Sequence, residues 1–363
     1  MTARARKQLA PGCRIRVLIV DDSVVIRRLV THALEEDPLI EVVGAASNGA
    51  LALERIPQVN PDAVTLDVEM PEMDGLETLR RMRRQYPELR VIMFSTLTER
   101  GAASTFEALA LGADDYVTKA ANVGSLDRSI ARLRDDLIPK IKQFFQLAAE
   151  GPPPPMVVRP EVARSLPAAR AIRPKVLAIG VSTGGPAALG QLMPRFGAGF
   201  PLPILIVQHM PPMFTRLLAE RLQAGSKLKI EEAVQGARVE PGKVLIAAGD
   251  YHLRIKKEGE AVRACLDQSP PENSCRPAVD VLFRSVAETY GGSALAVVLT
   301  GMGHDGMRGV QALKALGAYV IAQDQASSVV WGMPGAVVGA GLADCVTPLD
   351  AVAPEVLRQI GGN

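Results

Sequence analysis

Between residues 148 and 175 the chain reads AAEGPPPPMVVRPEVARSLPAARAIRPK, and this stretch sets the tightest limit on how the rest can fold. Proline fixes φ and carries no backbone N–H, so repeated prolines favour extended backbone and discourage both helix and central strand. The segment reads as a linker, bounded at 141–174. It divides 363 residues into two bodies, each long enough to bury its own core. Before it, the short apolar runs RVLIV, EVVGAA, DAVTLD, RVIMFS and DDYVTK alternate with amphipathic stretches. Five βα units over 14–140 follow, forming an α/β domain whose parallel sheet is covered on both faces. In the first amphipathic stretch Ile26, Leu29, Val30, Ala33 and Leu34 recur at helical spacing, predicting a buried stripe with Arg27 and Arg28 facing water. Beyond the linker, over 175–363, the runs KVLAIG, LPILIVQHM, SALAVVLTGMG and AYVIAQ alternate with helical patterns such as Phe214 to Gln223 and Val279 to Tyr290. They predict a second α/β domain, doubly wound and mainly parallel. Residues 228–268, where KVLIAAGD, YHLRIKKEGE and AVRACL are punctuated by PG and EG, predict a short antiparallel excursion.

A formal net charge of +2 supplies no global field calling for nucleic acid or anionic lipid. Residues 175–363 also carry no recognition-helix signature and no basic stripe, so no nucleic-acid partner is expected. The cysteines Cys13, Cys265, Cys275 and Cys345 match neither zinc spacing nor a disulfide framework and read as free thiols of a reducing compartment. The basic start MTARARKQLAPGCRIR precedes an apolar run, Val17 to Val20, too short for a signal peptide or a membrane span. A cytoplasmic location without membrane insertion is expected.

In the first domain Asp21 and Asp22 follow strand one, Asp67 follows AVTL, and Lys119 follows DDYVT. Strand ends of an open α/β sheet face one crevice. Clustered carboxylates there repel one another unless a hard divalent cation such as Mg²⁺ joins them, and such a cation also favours a phosphoryl group. Asp67 is then the nucleophile in phosphoryl transfer, with Lys119 pairing the phosphoryl oxygens. Taken singly, DD could cap a helix and Asp67 could simply end a strand. Together, DD, LDVEMPEMDG, FST and YVTK make the segment resemble the response-regulator receiver family over roughly 14 to 140. That resemblance implies a flavodoxin-like (βα)5 fold and phosphorylation on Asp67. It also implies Mg²⁺ ligands at Asp21, Asp22, Asp67 and the backbone carbonyl of Glu69, and switch residues Ser95, Tyr116 and Lys119. Ala120 follows Lys119 where that family usually has proline.

In the second domain GVSTG fits the G-x-S-x-G template between a predicted strand and a helix opening near Pro186. A phosphate-binding turn would spell similarly, but STGGPA lacks the P-loop lysine. A serine nucleophile needs a base, and the base needs orienting. His209 follows the strand PILIVQ, while His304 and Asp305 follow ALAVVLT within GMGHDG, so Ser182, His209 and Asp305 converge on one sheet edge. His304 could rival His209 as base. Side chains of adjacent residues rarely share one direction, which favours His209 as the partner of Asp305. His32 falls mid-helix and His252 in the antiparallel excursion. The order Ser, His, Asp differs from the α/β-hydrolase order. The motifs GVSTGGP, QHMPPMFT, RPAVDVLF and LTGMGHDGMRG resemble the chemotaxis receptor glutamate methylesterase family over nearly all of 175–350. Val181 and His304 stand where that family commonly has alanine and asparagine.

This second resemblance implies Ser182 as nucleophile, His209 as general base and acid, and Asp305 as orienting acid, with backbone N–H groups of Thr183 and Met302 as oxyanion donors. It implies hydrolysis of glutamate γ-methyl esters on methyl-accepting chemoreceptors, deamidation of receptor glutamines, no cofactor for hydrolysis, and a chemotaxis histidine kinase as phosphodonor. An unphosphorylated first domain is expected to restrain the Ser182 edge and phosphorylation of Asp67 to release it. The rival reading is a response regulator whose output domain only binds a partner, its Ser182 turn holding an anion.

Overall fold

The computed structural model describes residues 7–10, 12–96, 98–119, 126–146 and 173–361. Ala120 and most of the predicted linker, 147–172, lie outside the described residues. The chain forms two compact units, Met1–Val158 and Arg159–Asn363.

In the first unit a short strand β1 (Lys7–Gln8) precedes β2 (Ile15–Val20), α1 (Val24–Glu35), β3 (Ile40–Ala46), α2 (Gly49–Val59), β4 (Ala63–Asp67), α3 (Gly75–Gln85), β5 (Arg90–Ser95), α4 (Glu99–Leu111), β6 (Asp115–Thr118), α5 (Leu126–Lys142) and β7 (Phe145–Gln146). Strands β3-β2-β4-β5-β6 form a parallel sheet in that order, while β1 pairs with β7. Strands β4 and β5 are buried along their whole length, as apolar runs covered by helices on both faces require. Helices α1, α2, α3 and α4 each begin on a side chain that accepts a backbone N–H, namely Ser23, Asn48, Asp74 and Thr98. The predicted stripe of α1 is buried at Val30, Ala33 and Leu34. Arg27 departs from expectation: it folds back and donates from Nη1 to the carbonyls of Asp21 (2.7 Å) and Asp22 (2.9 Å). Those carbonyls lie past the end of the β-ladder and take a side-chain donor instead.

The second unit runs β8 (Val176–Val181), α6 (Gly185–Leu192), β9 (Ile204–Gln208), α7 (Phe214–Gly225), β10 (Lys229–Glu232), β11 (Lys243–Ile246), β12 (His252–Glu258), β13 (Ala261–Asp267), α8 (Val279–Tyr290), β14 (Ala294–Val298), α9 (Met307–Ala315), β15 (Tyr319–Gln323), α10 (Met333–Gly339), β16 (Cys345–Thr347) and α11 (Leu349–Gly361). Its main sheet is parallel, ordered β10-β11-β9-β8-β14-β15-β16. The antiparallel excursion is narrower than the sequence suggested. Strands β12 and β13 pair antiparallel, with one isolated antiparallel bridge from Arg238 to Arg263, while β10 and β11 join the parallel sheet beside β9. Val244, Leu245 and Ile246 are fully buried, so the run has no solvent face to betray in its alternation. Strand order reverses between β8 and β14, making a switch point at their carboxyl ends, where open α/β sheets hold ligands.

Candidate active site

Strand β8 ends at Val181, whose register partner is Gln208 at the end of β9. Ser182 and His209 are the next residues on the two chains. Neighbouring strands run about 4.8 Å apart, and side chains at one level leave on the same face. The backbone stays joined past the ladder: His209 N–H donates to Val181 O (3.2 Å) and Ser182 N–H to Thr300 O (3.0 Å). Gln208, 2% exposed, donates from Nε2 to the carbonyls of Ser182 (2.9 Å) and His209 (3.3 Å), tying the two chain turns together.

On the other flank, Gly301 follows β14, and a Cβ there would lie 2.8 Å from Ser182 Cβ and 2.4 Å from Met333 Sδ. Met333 is flexible and could yield; the Ser182 turn is pinned by its backbone bonds. Gly301→Ala is therefore expected to lower turnover at this site roughly ten-fold or more while shifting Tm only modestly. Rate and melting curve measured together check it, and an unchanged rate would make the close approach immaterial.

Asp305 stands after the same strand end and is buried. Its Oδ2 lies 2.7 Å from His209 Nε2 and also accepts Val279 N–H (2.7 Å). Its Oδ1 accepts from Asn273 Nδ2 (2.9 Å), Asp280 N–H (3.0 Å) and Gly306 N–H (2.9 Å). The carboxylate thus caps the start of α8, which has no side-chain cap at Ala278. Burial pushes the Asp305 carboxyl up, but His209 and these N–H groups outweigh it and hold it down at about 2. Burial likewise opposes charge on the His209 ring, yet Cys275 and Asp305 outweigh it and raise the imidazolium to about 10. The ring's Nδ1 faces Cys275 Sγ at 3.6 Å. Both nitrogens are engaged, and among the described residues no hydrogen bond joins Ser182 Oγ to the ring.

The other histidines sort by position. His304 is exposed beside the inward-turned Asp305. His252 is fully buried, its Nδ1 accepting Ala278 N–H (3.2 Å) and its Nε2 facing Pro270 O (3.1 Å), a structural pairing. His32 lies on α1, 3.9 Å from Glu36. Thr183 is buried, its carbonyl accepting from Thr300 Oγ1 (2.9 Å). Met302 is 36% exposed, and its N–H meets no acceptor among the described residues.

In the first unit Lys119 Nζ bridges Asp21 (2.8 Å) and Asp67 (2.7 Å). Burial, reinforced by Asp21, raises the Asp67 carboxyl to about 6 against the lowering influence of Lys119. Ligand atoms of Asp21, Asp22 and Asp67 lie within 4.8 Å of one another, an all-oxygen set suited to a hard divalent cation. Glu69 adjoins it, its N–H donating to Asp67 Oδ1 (3.4 Å). Ser95 is fully buried and donates to Gly101 O (2.9 Å), and Tyr116 is buried beside Lys140.

One α/β sheet with an acidic, lysine-bridged edge and a second with an imidazole–carboxylate pair at its switch point define a response regulator with a hydrolase-type output domain. Residues 177–356 match the CheB methylesterase family and residues 17–131 the response regulator receiver domain. The chain is 52% identical over 354 residues to a protein-glutamate methylesterase/protein-glutamine glutaminase of Trichodesmium erythraeum, covering 96% of this chain and 99% of that one. It is 51% identical over 354 residues to the Nocardioides sp. protein of the same description, covering 96% of each. The crystal structure of the Thermotoga maritima CheB methylesterase catalytic domain is 44% identical, with a TM-score of 0.50, covering 52% of this chain and 99% of that one. The chain belongs to the protein-glutamate methylesterase/protein-glutamine glutaminase family.

Three site residues escaped the sequence reading: Gln208, Asn273 and Cys275. Gln208 sits inside a motif but spells only as a polar strand end. Asn273 and Cys275 come from a turn closed by Glu272 and Cys275, with Asn273 (φ 52) and Ser274 (φ 62) in left-handed conformations. The Asn-Ser pair signals a turn; no periodicity says where a turn lands.

Proposed function

We propose that Ser182, His209 and Asp305 hydrolyse γ-methyl esters of glutamate side chains on methyl-accepting chemoreceptors, releasing methanol, and deamidate receptor glutamines by the same route. The observation that carries this reading is the 2.7 Å contact of Asp305 Oδ2 with His209 Nε2, where His209 and Ser182 each directly follow the paired strand ends Gln208 and Val181. Asp305 holds Nε2 at 2.7 Å, so the proton of Ser182 goes to Nδ1, whose contact with Cys275 Sγ is the longer one at 3.6 Å and gives way to the hydroxyl. The alkoxide attacks the side-chain carbonyl, and the tetrahedral oxyanion is met by backbone N–H groups, Met302 foremost and Thr183 second. His209 returns the proton to the leaving methanol or ammonia, and water attacking along the same path releases glutamate. A fluorophosphonate that labels Ser182, together with methanol release from methyl-labelled receptor, tests the assignment. An unlabelled Ser182 favours the partner-binding output instead.

General-base action needs a neutral ring, and His209 is raised to about 10. The rate is therefore expected to keep climbing from pH 7 towards pH 9, by up to about ten-fold per unit. A pH–rate profile flat above pH 7 would contradict it.

In the receiver unit Asp67 takes the phosphoryl group from a chemotaxis histidine kinase and Lys119 pairs its oxygens. Mg²⁺ bound by Asp21, Asp22, Asp67 and the Glu69 carbonyl would supply charge neutralisation, and Ser95 and Tyr116 would register the change. Asp67→Asn is expected to take up no acid-labile phosphate from a small phosphodonor, and the donor then leaves its rate of methanol release unchanged. Retained stimulation would move the acceptor elsewhere.

A further inference from the structure

The hydrolase edge contains a second nucleophile that the proposed reaction does not use. Asp305 Oδ2, His209 Nε2, His209 Nδ1 and Cys275 Sγ lie in series, with contacts of 2.7 Å and 3.6 Å at the two ends of the imidazole. Carboxylate, imidazole and thiol in that order make up the arrangement that activates a cysteine, the ring taking the thiol proton and the carboxylate steadying the resulting imidazolium. The placement is held rigidly. Cys275 N–H donates to Glu272 O (2.9 Å), Glu272 N–H donates to Cys275 O (3.1 Å), and Asn273 of the same turn holds Asp305 Oδ1. One turn thus fixes both ends of the series. Cys275 as a residue is neither buried nor fully exposed, and its labelling rate measures whether a small reagent reaches its sulfur.

We propose that Cys275 is an oxidisable thiol through which peroxide switches the hydrolase off. The Cys275 proton passes to His209 Nδ1, and the sulfur attacks one oxygen of hydrogen peroxide. The S–O bond forms as the O–O bond breaks, and the departing hydroxide takes the imidazolium proton to become water. Sulfur is oxidised by two electrons to the sulfenic acid, and the peroxide is reduced. The added oxygen enters the 3.6 Å space between Sγ and Nδ1, and its hydroxyl, a stronger donor than the thiol, takes the nitrogen Ser182 needs, so the base is blocked. A dithiol reverses the step, reducing S–OH to S–H and leaving as its disulfide with one water. Cys13, exposed, and Cys345, whose thiol burial and Glu355 push up, have no imidazole partner among the described residues and serve as internal references.

The activity arm of the test rests on the hydrolase assignment; the labelling arm does not. Full-length protein treated with limiting iodoacetamide at neutral pH is expected to be alkylated at Cys275 about ten-fold faster than at Cys13, by peptide mass spectrometry. Ser182→Ala should keep that preference, and His209→Gln should bring Cys275 down to the Cys13 rate. Hydrogen peroxide should then produce a dimedone-reactive Cys275 and a loss of methanol release that dithiothreitol restores. Cys275→Ser, scaled to its own starting rate, should resist the peroxide. The proposal is overturned if Cys275 reacts no faster than Cys13, if His209→Gln leaves its rate unchanged, or if Cys275→Ser is inactivated as fast as the parent.

Discussion

Asp305→Asn should slow methanol release by about 10⁴-fold, the size of effect that a misoriented base produces in other serine hydrolases. Five groups donate to this carboxylate: Asn273 Nδ2 and the N–H groups of Asp280 and Gly306 on Oδ1, and Val279 N–H and His209 Nε2 on Oδ2. An amide places an NH₂ where one of these oxygens was. Turned towards His209, it forces Nε2 to accept, which puts the ring proton on Nδ1 and leaves no lone pair for Ser182. Turned towards Asn273, it faces three donors and costs about 1–3 kcal/mol in unmatched buried polar groups. The substitution should therefore lower Tm as well as rate, and the raised His209 titration should fall, because its carboxylate partner is gone. A rate within ten-fold of the parent, with the fold intact, would remove Asp305 from the machinery.

The sequence was most legible where burial imposes a pattern. Short runs rich in apolar residues marked the strands of the first sheet, and Asp21, Asp67, Ser182, His209 and Asp305 could be placed at or just past strand ends by the rule that parallel strands point their carboxyl ends one way. Punctuation was a poorer guide: PG before Lys243 suggested a hairpin, yet a buried run after a turn can equally cross over and rejoin a parallel sheet. Side chains acting through a remote partner were not legible. Arg27 looked solvent-facing because helical phase places its Cβ outward, but its long stem reaches back to the Asp21 carbonyl. Asn273 and Cys275 depend on a loop crossing to His209 and Asp305, and loop destinations are set by tertiary packing that local spelling does not encode.

The larger effect is expected at the nucleophile and base themselves. Ser182→Ala and His209→Gln should each lower the rate by about 10⁵-fold, close to 7 kcal/mol of transition-state stabilisation, and the double variant should lose little more than either single one. The reason lies in the order of events. Without Ser182 the base has no proton to take along the productive path, and without His209 the hydroxyl remains a weak nucleophile. Independent contributions would multiply to about 10¹⁰, far below the background that oxyanion donors and substrate binding still sustain. The cycle therefore separates a cooperating pair from two residues that merely line a pocket. Cys275 sharpens the reading, because Ser182→Ala leaves the Asp305, His209 and Cys275 series intact. Any residual turnover in Ser182→Ala that is lost when Cys275→Ser is added belongs to the thiol, while turnover that survives the added substitution belongs to water activated by His209. Should the double variant instead show multiplied losses, Ser182 and His209 would be acting separately, and the path from hydroxyl to imidazole to carboxylate would have to be redrawn.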